Sequence, residues 1–263
     1  MQSITSDAKK SAHVKSVERA FILVEELAKE PREYSLTEIS RTLNWPKSTV
    51  HGLLSTLVQY RYVDQSPETG RYRLGIRFFE LGMHVGRMWD IRGVASPYIQ
   101  KLNQTLGEMV QLGTEDKGEV LYLDKIDSLH LIRLVSEIGG RLPLHCTGLG
   151  KVLLAYMPSD QMHFIIRKHG LKRFTDRTIT TLPLLEKDLS AIRDQGYAMD
   201  DGEIMEGIRC IAAPIFDGRN HVRYAVSVSG LLADMKGTKL GQVKASVVRT
   251  ADEISKAMQQ ISV

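Results

Sequence analysis

The chain has 263 residues, 43% of them apolar and 25% charged, and its 35 basic against 31 acidic side chains leave a net charge of +4. That balance is ordinary for a globular protein and excludes a mostly disordered chain, a collagen-like fibre and a disulfide scaffold; no run approaches the roughly 18 apolar residues that span a bilayer. So small a charge argues for no particular partner by itself, and its distribution along the chain has to decide.

Residues 1–14 are polar and small and read as a disordered tail. They contain no apolar h-region, so no secretory leader is expected, and the two isolated cysteines, Cys146 and Cys210, suit free thiols in a reducing cytoplasm. From Ser16, the apolar residues Val17, Ala20, Phe21, Val24, Leu27 and Ala28 recur at helical spacing, and Pro31 ends that helix. Ser35-Leu-Thr-Glu38 is a capping box opening a second, short helix with Ile39 and Leu43 on its buried side, ending near Asn44-Trp45. Pro46 is a favoured first residue of a third helix, whose buried face carries Val50, Leu53, Leu54 and Leu57. Its opposite face carries Lys47, Ser48, Thr49, His51 and Ser55. Tyr62-Val-Asp64 and Arg71-Tyr-Arg-Leu74 flank the turn Ser66-Pro-Glu-Thr-Gly70 and read as a hairpin.

Residues 76–107 read as mainly helical with a break at Pro97, and Phe78, Phe79, Leu81, Val85 and Met88 are more apolar than a lone connector requires. This segment is expected to link two domains and to pack on something, a second copy of itself being one candidate. After Gly107, Val120–Asp124, Leu129–Val135, Arg209–Phe216 and Arg223–Ser229 read as strands. Helices are expected from Thr147 to Met157, from Leu184 to Gln195 with a stop at Gly196, and from Leu240 to Ile261. Strands and helices so mixed suggest one α/β sensor-like domain.

Function hypotheses follow from two places. A helix entering the major groove needs small or hydrogen-bonding side chains at its N-terminal end and a packed opposite face. Lys47, Ser48, Thr49 and His51 offer that, with Lys47 suited to a phosphate and the others to phosphates or base edges. Arg71 and Arg73 alternate with Tyr72, so both project from one face of the hairpin. Between Arg41 and Arg77 six basic residues face two acidic ones, a local balance of +4. A plain three-helix unit with a solvated charged face is the rival reading, and the arginine-bearing hairpin favours a winged helix–turn–helix.

In the second half, Gly148 and Gly150 at a helix start leave backbone N–H groups that suit a carboxylate, unless they serve only close packing. Ala225, Ser227 and Ser229 share one strand face; alternation alone reads it as facing solvent, and a polar pocket lining is the other reading. Asp200 opens the acidic stretch Asp200, Asp201, Glu203, Glu206, which reads as a solvated loop, and Cys210 as a small buried hydrophobe. The histidines, cysteines and acids show no structural-zinc spacing, and no P-loop, G-x-S-x-G or H-E-x-x-H motif occurs, so no metal or other cofactor is expected.

The segments Ser35-Leu-Thr-Glu-Ile-Ser40, Leu43-Asn-Trp-Pro-Lys-Ser-Thr-Val-His-Gly-Leu-Leu-Ser-Thr-Leu57 and Gly70-Arg-Tyr-Arg-Leu-Gly75 resemble the DNA-binding half of the IclR family of bacterial transcription regulators. Thr147–Ala155, Ile192–Tyr197, Asp200–Glu203, Gly207–Ile215 and Ala225–Gly230 resemble its effector domain in order and spacing. The resemblance implies an α+β chain: a winged helix–turn–helix DNA-binding domain over 14–75, a helical linker and dimerisation segment over 76–107, and a GAF-like α/β effector-binding domain over 108–263. It implies that Lys47, Ser48, Thr49, His51, Ser55, Arg71 and Arg73 serve double-stranded operator DNA. It implies that backbone groups of Gly148 and Leu149 and the side chains of Asp200, Cys210, Ser227 and Ser229 serve a small organic-acid or sugar-acid effector. A repressor of a catabolic operon, acting as a homodimer or dimer of dimers away from any membrane, is the expectation. An activator, an enzyme using Cys146 or Cys210 with His145 or Asp200, and a pure dimerising scaffold are the alternatives. The chain departs from the family at Gly52, where arginine is frequent, at Arg61, where glycine is, at Gly148, where alanine is usual, and at Gly202, where an acid is common.

Overall fold

The computed structural model describes residues 14–88, 91–128 and 137–261, and the chain divides into two units, Met1–Trp89 and Asp90–Val263. Most of the tail, the expected strand Leu129–Val135 and the last two residues lie outside the described residues. No described helix is long and apolar enough to cross a membrane.

The first unit is built from α1 (Lys15–Ala28), α2 (Leu36–Leu43), α3 (Lys47–Gln59), a hairpin of β1 (Val63–Gln65) and β2 (Tyr72–Leu74), and α4 (Arg77–Met88). Its start signals are local chemistry. Ser35 Oγ accepts the Glu38 N–H at 3.2 Å while Glu38 Oε2 accepts the Ser35 N–H at 2.7 Å, the reciprocal capping box expected from the sequence. Asn44 then turns the chain in the left-handed region at φ 52°, and Pro46 stands as the N-cap of α3, one residue earlier than expected. At the far end of α3, Tyr62 N–H reaches Leu57 O and Arg61 N–H reaches Val58 O, with Arg61 at φ 63°. This is a Schellman ending with arginine where glycine would relieve the left-handed strain.

Leu23, Leu27, Ile39, Val50, Leu54, Val63 and Tyr72 form this unit's core. Tyr34 pairs with Tyr72 through two 2.8 Å main-chain bonds, giving the hairpin a third edge. The apolar stripe read for α1 is only partly buried. Leu23 and Leu27 point inward, whereas Val17 and Phe21 are 50% and 65% exposed. The helix carries two apolar stripes, and periodicity cannot say which of them meets α3. Phe79, Met83 and Val85 on α4 are also exposed.

The second unit contains α5 (Ile91–Leu106), β3 (Met109–Asp116), β4 (Glu119–Ile126), β5 (Arg141–Pro143), α6 (Gly148–Tyr156), α7 (Ser159–His169), α8 (Leu182–Gln195), β6 (Ala198–Asp201), β7 (Ile208–Phe216), β8 (Val222–Leu231) and α9 (Gly237–Ile261). Its six described strands run in the order β5-β4-β3-β8-β7-β6, with every neighbouring pair antiparallel. One face packs α6, α7 and α8 around Val120, Leu149, Val152, Leu153, Ile165 and Leu189. The other packs α5 and α9 around Ile99, Val110, Val226, Val228, Val243 and Val247.

The break expected at Pro97 is absent. Pro97 lies inside α5. Ile91, Ala95, Ile99 and Leu102 are buried, and the three large ones at about 1.5–3 kcal/mol each outweigh the roughly 3 kcal/mol that one interior proline costs.

Candidate functional site

The first candidate surface follows from how α3 is seated. Val50 and Leu54 are fully buried, so the opposite face is turned to solvent: Lys47, Ser48, His51 and Ser55 are exposed and Thr49 is half-buried. Gly52 stands among them, and a Cβ built there would meet nothing within 4 Å.

On the hairpin, Tyr72 is buried while Arg71 and Arg73 flank it with side chains 44% and 60% exposed. Both arginines rest on carboxylates of their own unit. Arg71 Nη1 lies 3.5 Å from Glu38 Oε2 and donates to Glu33 O at 3.4 Å. Arg73 lies 3.6 Å from Glu33 and 3.9 Å from Asp64.

The second candidate is a partly open cavity in the second unit. Gly148, Leu149, Asp200, Cys210, Ser227 and Ser229 all line it, together with Gln111, Tyr122, Leu142, Thr147, Ile204, Met205 and Ile208. Two expectations are corrected here. The Ala225, Ser227 and Ser229 face is not solvated: Ser227 and Ser229 are 1% and 2% exposed. β8 is an interior strand covered on both faces by helices, so its alternation separates two buried environments rather than core from water. Nor is Asp200 on a loop. It belongs to β6, opposite Cys210 of β7, and is 1% exposed.

Gly148 and Gly150 separate in role. A Cβ on Gly150 would stand 2.2 Å from Leu144 O, and its N–H is taken by Thr147 Oγ1 at 3.2 Å; this glycine serves close packing. Gly148 lines the cavity, where a Cβ would meet Ala212 Cβ at 3.3 Å.

Beside the cavity lies a buried ionic cluster that the sequence did not announce. Lys151 is 1% exposed. Its Nζ donates to Met199 O at 2.7 Å and pairs with Glu203 Oε1 and, at 2.9 Å, with Asp188 Oδ2. Burial opposes its charge, but the two carboxylates overcome that and hold its pKa above the ordinary value. Asp200 Oδ1 accepts the Glu203 N–H at 2.7 Å, while Oδ2 is buried without a hydrogen-bond partner among the described residues. Burial pushes Asp200 up to about 7. Burial also pushes the Cys146 and Cys210 thiols and the Tyr122 hydroxyl up, and pushes His145 down. Thiols held protonated are poor nucleophiles as they stand. Among the described residues no three histidines, cysteines or acids are grouped to hold a metal ion.

Gln111 and Lys151 are the residues sequence reasoning missed. Ser229 Oγ donates to Gln111 Oε1 at 2.8 Å, with Ser227 Oγ at 3.3 Å from the same atom. For Lys151 a signal existed: one cation inside the apolar helical run Gly148-Leu-Gly-Lys-Val-Leu-Leu-Ala155.

Comparison with known proteins agrees across both units. Residues 16–67 match the IclR helix-turn-helix domain, and residues 83–256 match the bacterial transcriptional regulator IclR C-terminal domain. The HTH-type transcriptional regulator XynR of Escherichia coli (strain K12) is 33% identical over 245 residues, covering 93% of this chain and 97% of that protein. KdgR of the same organism is 38% identical over 218 residues, covering 83% and 81%, and its transcriptional repressor IclR is 31% identical over 249 residues, covering 94% and 91%. Among solved structures, IclR of Thermotoga maritima superimposes with a TM-score of 0.81 at 30% identity, covering 94% of this chain and all of that one.

Proposed function

The chain belongs to the IclR family of bacterial transcriptional regulators, and from that premise we propose that it is a repressor released from its operator by a small organic or sugar acid. It is a DNA-binding regulator and not an enzyme. The observation that carries the DNA-contacting part of the proposal is the seating of α3: a buried Val50 and Leu54 face that leaves Lys47, Ser48, His51 and Ser55 outward beside two exposed wing arginines.

In this reading Lys47, Arg71 and Arg73 neutralise phosphates, while Ser48, Thr49, His51 and Ser55 reach phosphates or base edges. Residues 14–75 form the DNA-binding domain, 76–107 the linker and 108–263 the effector domain. The exposed apolar residues Phe79, Met83 and Val85 of α4, with Val17 and Phe21 of α1, support pairing with a second copy. A two-fold dimer would present two wings to a pseudo-palindromic operator. Gly148 and Leu149 N–H groups, with Asp200, Cys210, Ser227 and Ser229, would hold the effector in the cavity. Regulation requires that the effector bind the DNA-competent and DNA-incompetent arrangements with different affinity. A repressor role is also supported by a relative so named.

The test is a gel shift of the purified chain on its own upstream region, with pyruvate, D-gluconate and benzoate as additives. Retardation over a scrambled duplex, relieved by at least one acid, is expected. Equal retardation of both fragments at low salt refutes the operator reading, and relief by none of the acids refutes the effector reading.

A further inference from the structure

The cavity wall holds a carboxyl group with no cation of its own among the described residues. Lys151, reaching in from α6, is the ammonium that faces Asp200, and its donors are spent on Glu203, Asp188 and Met199 O. Among the described residues, the other titratable groups that act on Asp200 carry no positive charge: Tyr122 from β4, Cys146 from the segment before α6, Cys210 from β7 and Glu203 from the loop after β6. An ionised Asp200 would therefore leave two buried carboxylates, its own and that of Glu203, sharing one ammonium that already serves Asp188 as well. A buried pair of like charges is relieved when one member keeps its proton. Asp200 is the member to do so, because Glu203 holds the direct ion pair.

The free edge of that carboxyl points to a ligand. Oδ1 is engaged by the Glu203 N–H, while Oδ2 is buried, with no hydrogen-bond partner among the described residues, on a residue that lines the cavity. Two hydroxyls, Ser227 and Ser229, line the same space. Both hydroxyl hydrogens are directed at Gln111 Oε1, so a protonated Asp200 supplies the O–H donor on that wall that is not already engaged, and such a donor suits an anionic oxygen.

We propose that Asp200 meets the effector as a neutral carboxyl group, donating from Oδ2 to the carboxylate of a small organic acid, so that one proton enters the site with the ligand. This rests on the reading of the cavity as the effector site. The balance is simple: above neutrality the empty site holds Asp200 as carboxylate, one solvent proton is taken up, and the ligand anion enters with no bond of its own made or broken. Carboxylate affinity then falls by about tenfold for each pH unit above neutrality and is flat in mild acid. Effector response is thereby tied to cytoplasmic or ambient pH.

Titration calorimetry of the full chain with pyruvate, D-gluconate and benzoate tests this, in two buffers of unlike ionisation enthalpy at each pH. These acids titrate at about pH 4 or lower, so they stay anionic throughout. About one proton should be taken up per ligand near pH 8.5 and little near pH 5.5. Asp200→Asn, whose amide still donates, should bind with no proton uptake and a flat pH profile; its melting temperature reports whether it folds, and the wild-type proton count stands without it. Binding without proton uptake near pH 8.5, or uptake that persists in folded Asp200→Asn, overturns this inference alone. Failure of all three anions to bind at either pH overturns it together with the effector reading of the cavity.

Discussion

The sharpest consequence of the wing geometry concerns Arg73→Ala. In the DNA-free chain its guanidinium lies 3.6 Å from Glu33 and 3.9 Å from Asp64, with the side chain 60% exposed. These separations exceed the roughly 2.7–2.9 Å of a strong charge-assisted hydrogen bond. Exposed pairs of this kind contribute about 0–1 kcal/mol, so truncation should leave the melting temperature nearly unchanged. A phosphate outbids such loosely held partners. Each lost phosphate contact lowers the slope of log K against log salt by about 0.9. A fourfold rise in salt should then weaken the variant by about 3.5-fold less than the wild type, per bound wing. Fluorescence anisotropy with a labelled operator fragment across a salt series measures this, with a scrambled duplex in parallel. Phosphate contacts carry no sequence information, so both duplexes should show the same drop in slope. An unchanged slope in a folded variant refutes the phosphate role, and a drop confined to the operator would make Arg73 a base reader instead.

Glycine substitutions should separate sharply. Gly52→Ala, in open space within α3, should stabilise by about 1 kcal/mol through helix propensity, whereas Gly150→Ala, 2.2 Å from Leu144 O, should destabilise by about 1–3 kcal/mol or more; urea unfolding that ranks them equally would undo the packing argument. Lys151→Met strips the buried Glu203 of its cation and should cost about 3–5 kcal/mol in the same assay, partly restored by adding Glu203→Gln. Glu38 is held down at about 2 by the Ser35 N–H first, then the Ser35 hydroxyl, with Arg71 and Arg32 assisting. A depressed carboxyl contributes stability that is complete above its ordinary value of 4.5 and is lost as pH falls towards 2. Glu38→Gln keeps the reciprocal bonds but cannot titrate, so melting curves taken over that interval should fall less steeply than those of the wild type. Ser35→Ala should cost the first unit about 1 kcal/mol at neutral pH as a lost cap.

Where a structural decision involves neighbours along the chain, the residues announce it. The Ser35–Glu38 box, the helix end near Asn44-Trp45, the α3 pattern and the stop at Gly196 all depend on bonds spanning three to five residues, and each is legible in the sequence. The exposed side of α3 was legible for the same reason, since Val50 and Leu54 fix which way Lys47 and His51 turn.

The cavity was legible only through likeness to other chains. Its walls come from β3, β4, α6, β6, β7 and β8, residues more than a hundred positions apart that antiparallel pairing lays side by side. Gln111 opposite Ser227, and Asp200 opposite Cys210, follow from strand register, which no local pattern encodes. Burial on both faces of β8 erased the polar-out signal, and an acidic run that looked solvated supplied the buried Asp200 and Glu203. α1 displays the same limit in small: spacing shows one apolar face through Val17, Phe21 and Leu27, but Leu23 and Leu27 are the residues covered while Val17 and Phe21 stay exposed. Short-range hydrogen bonding is written in neighbouring residues, whereas the environment of a side chain is set by whatever distant segment comes to lie against it.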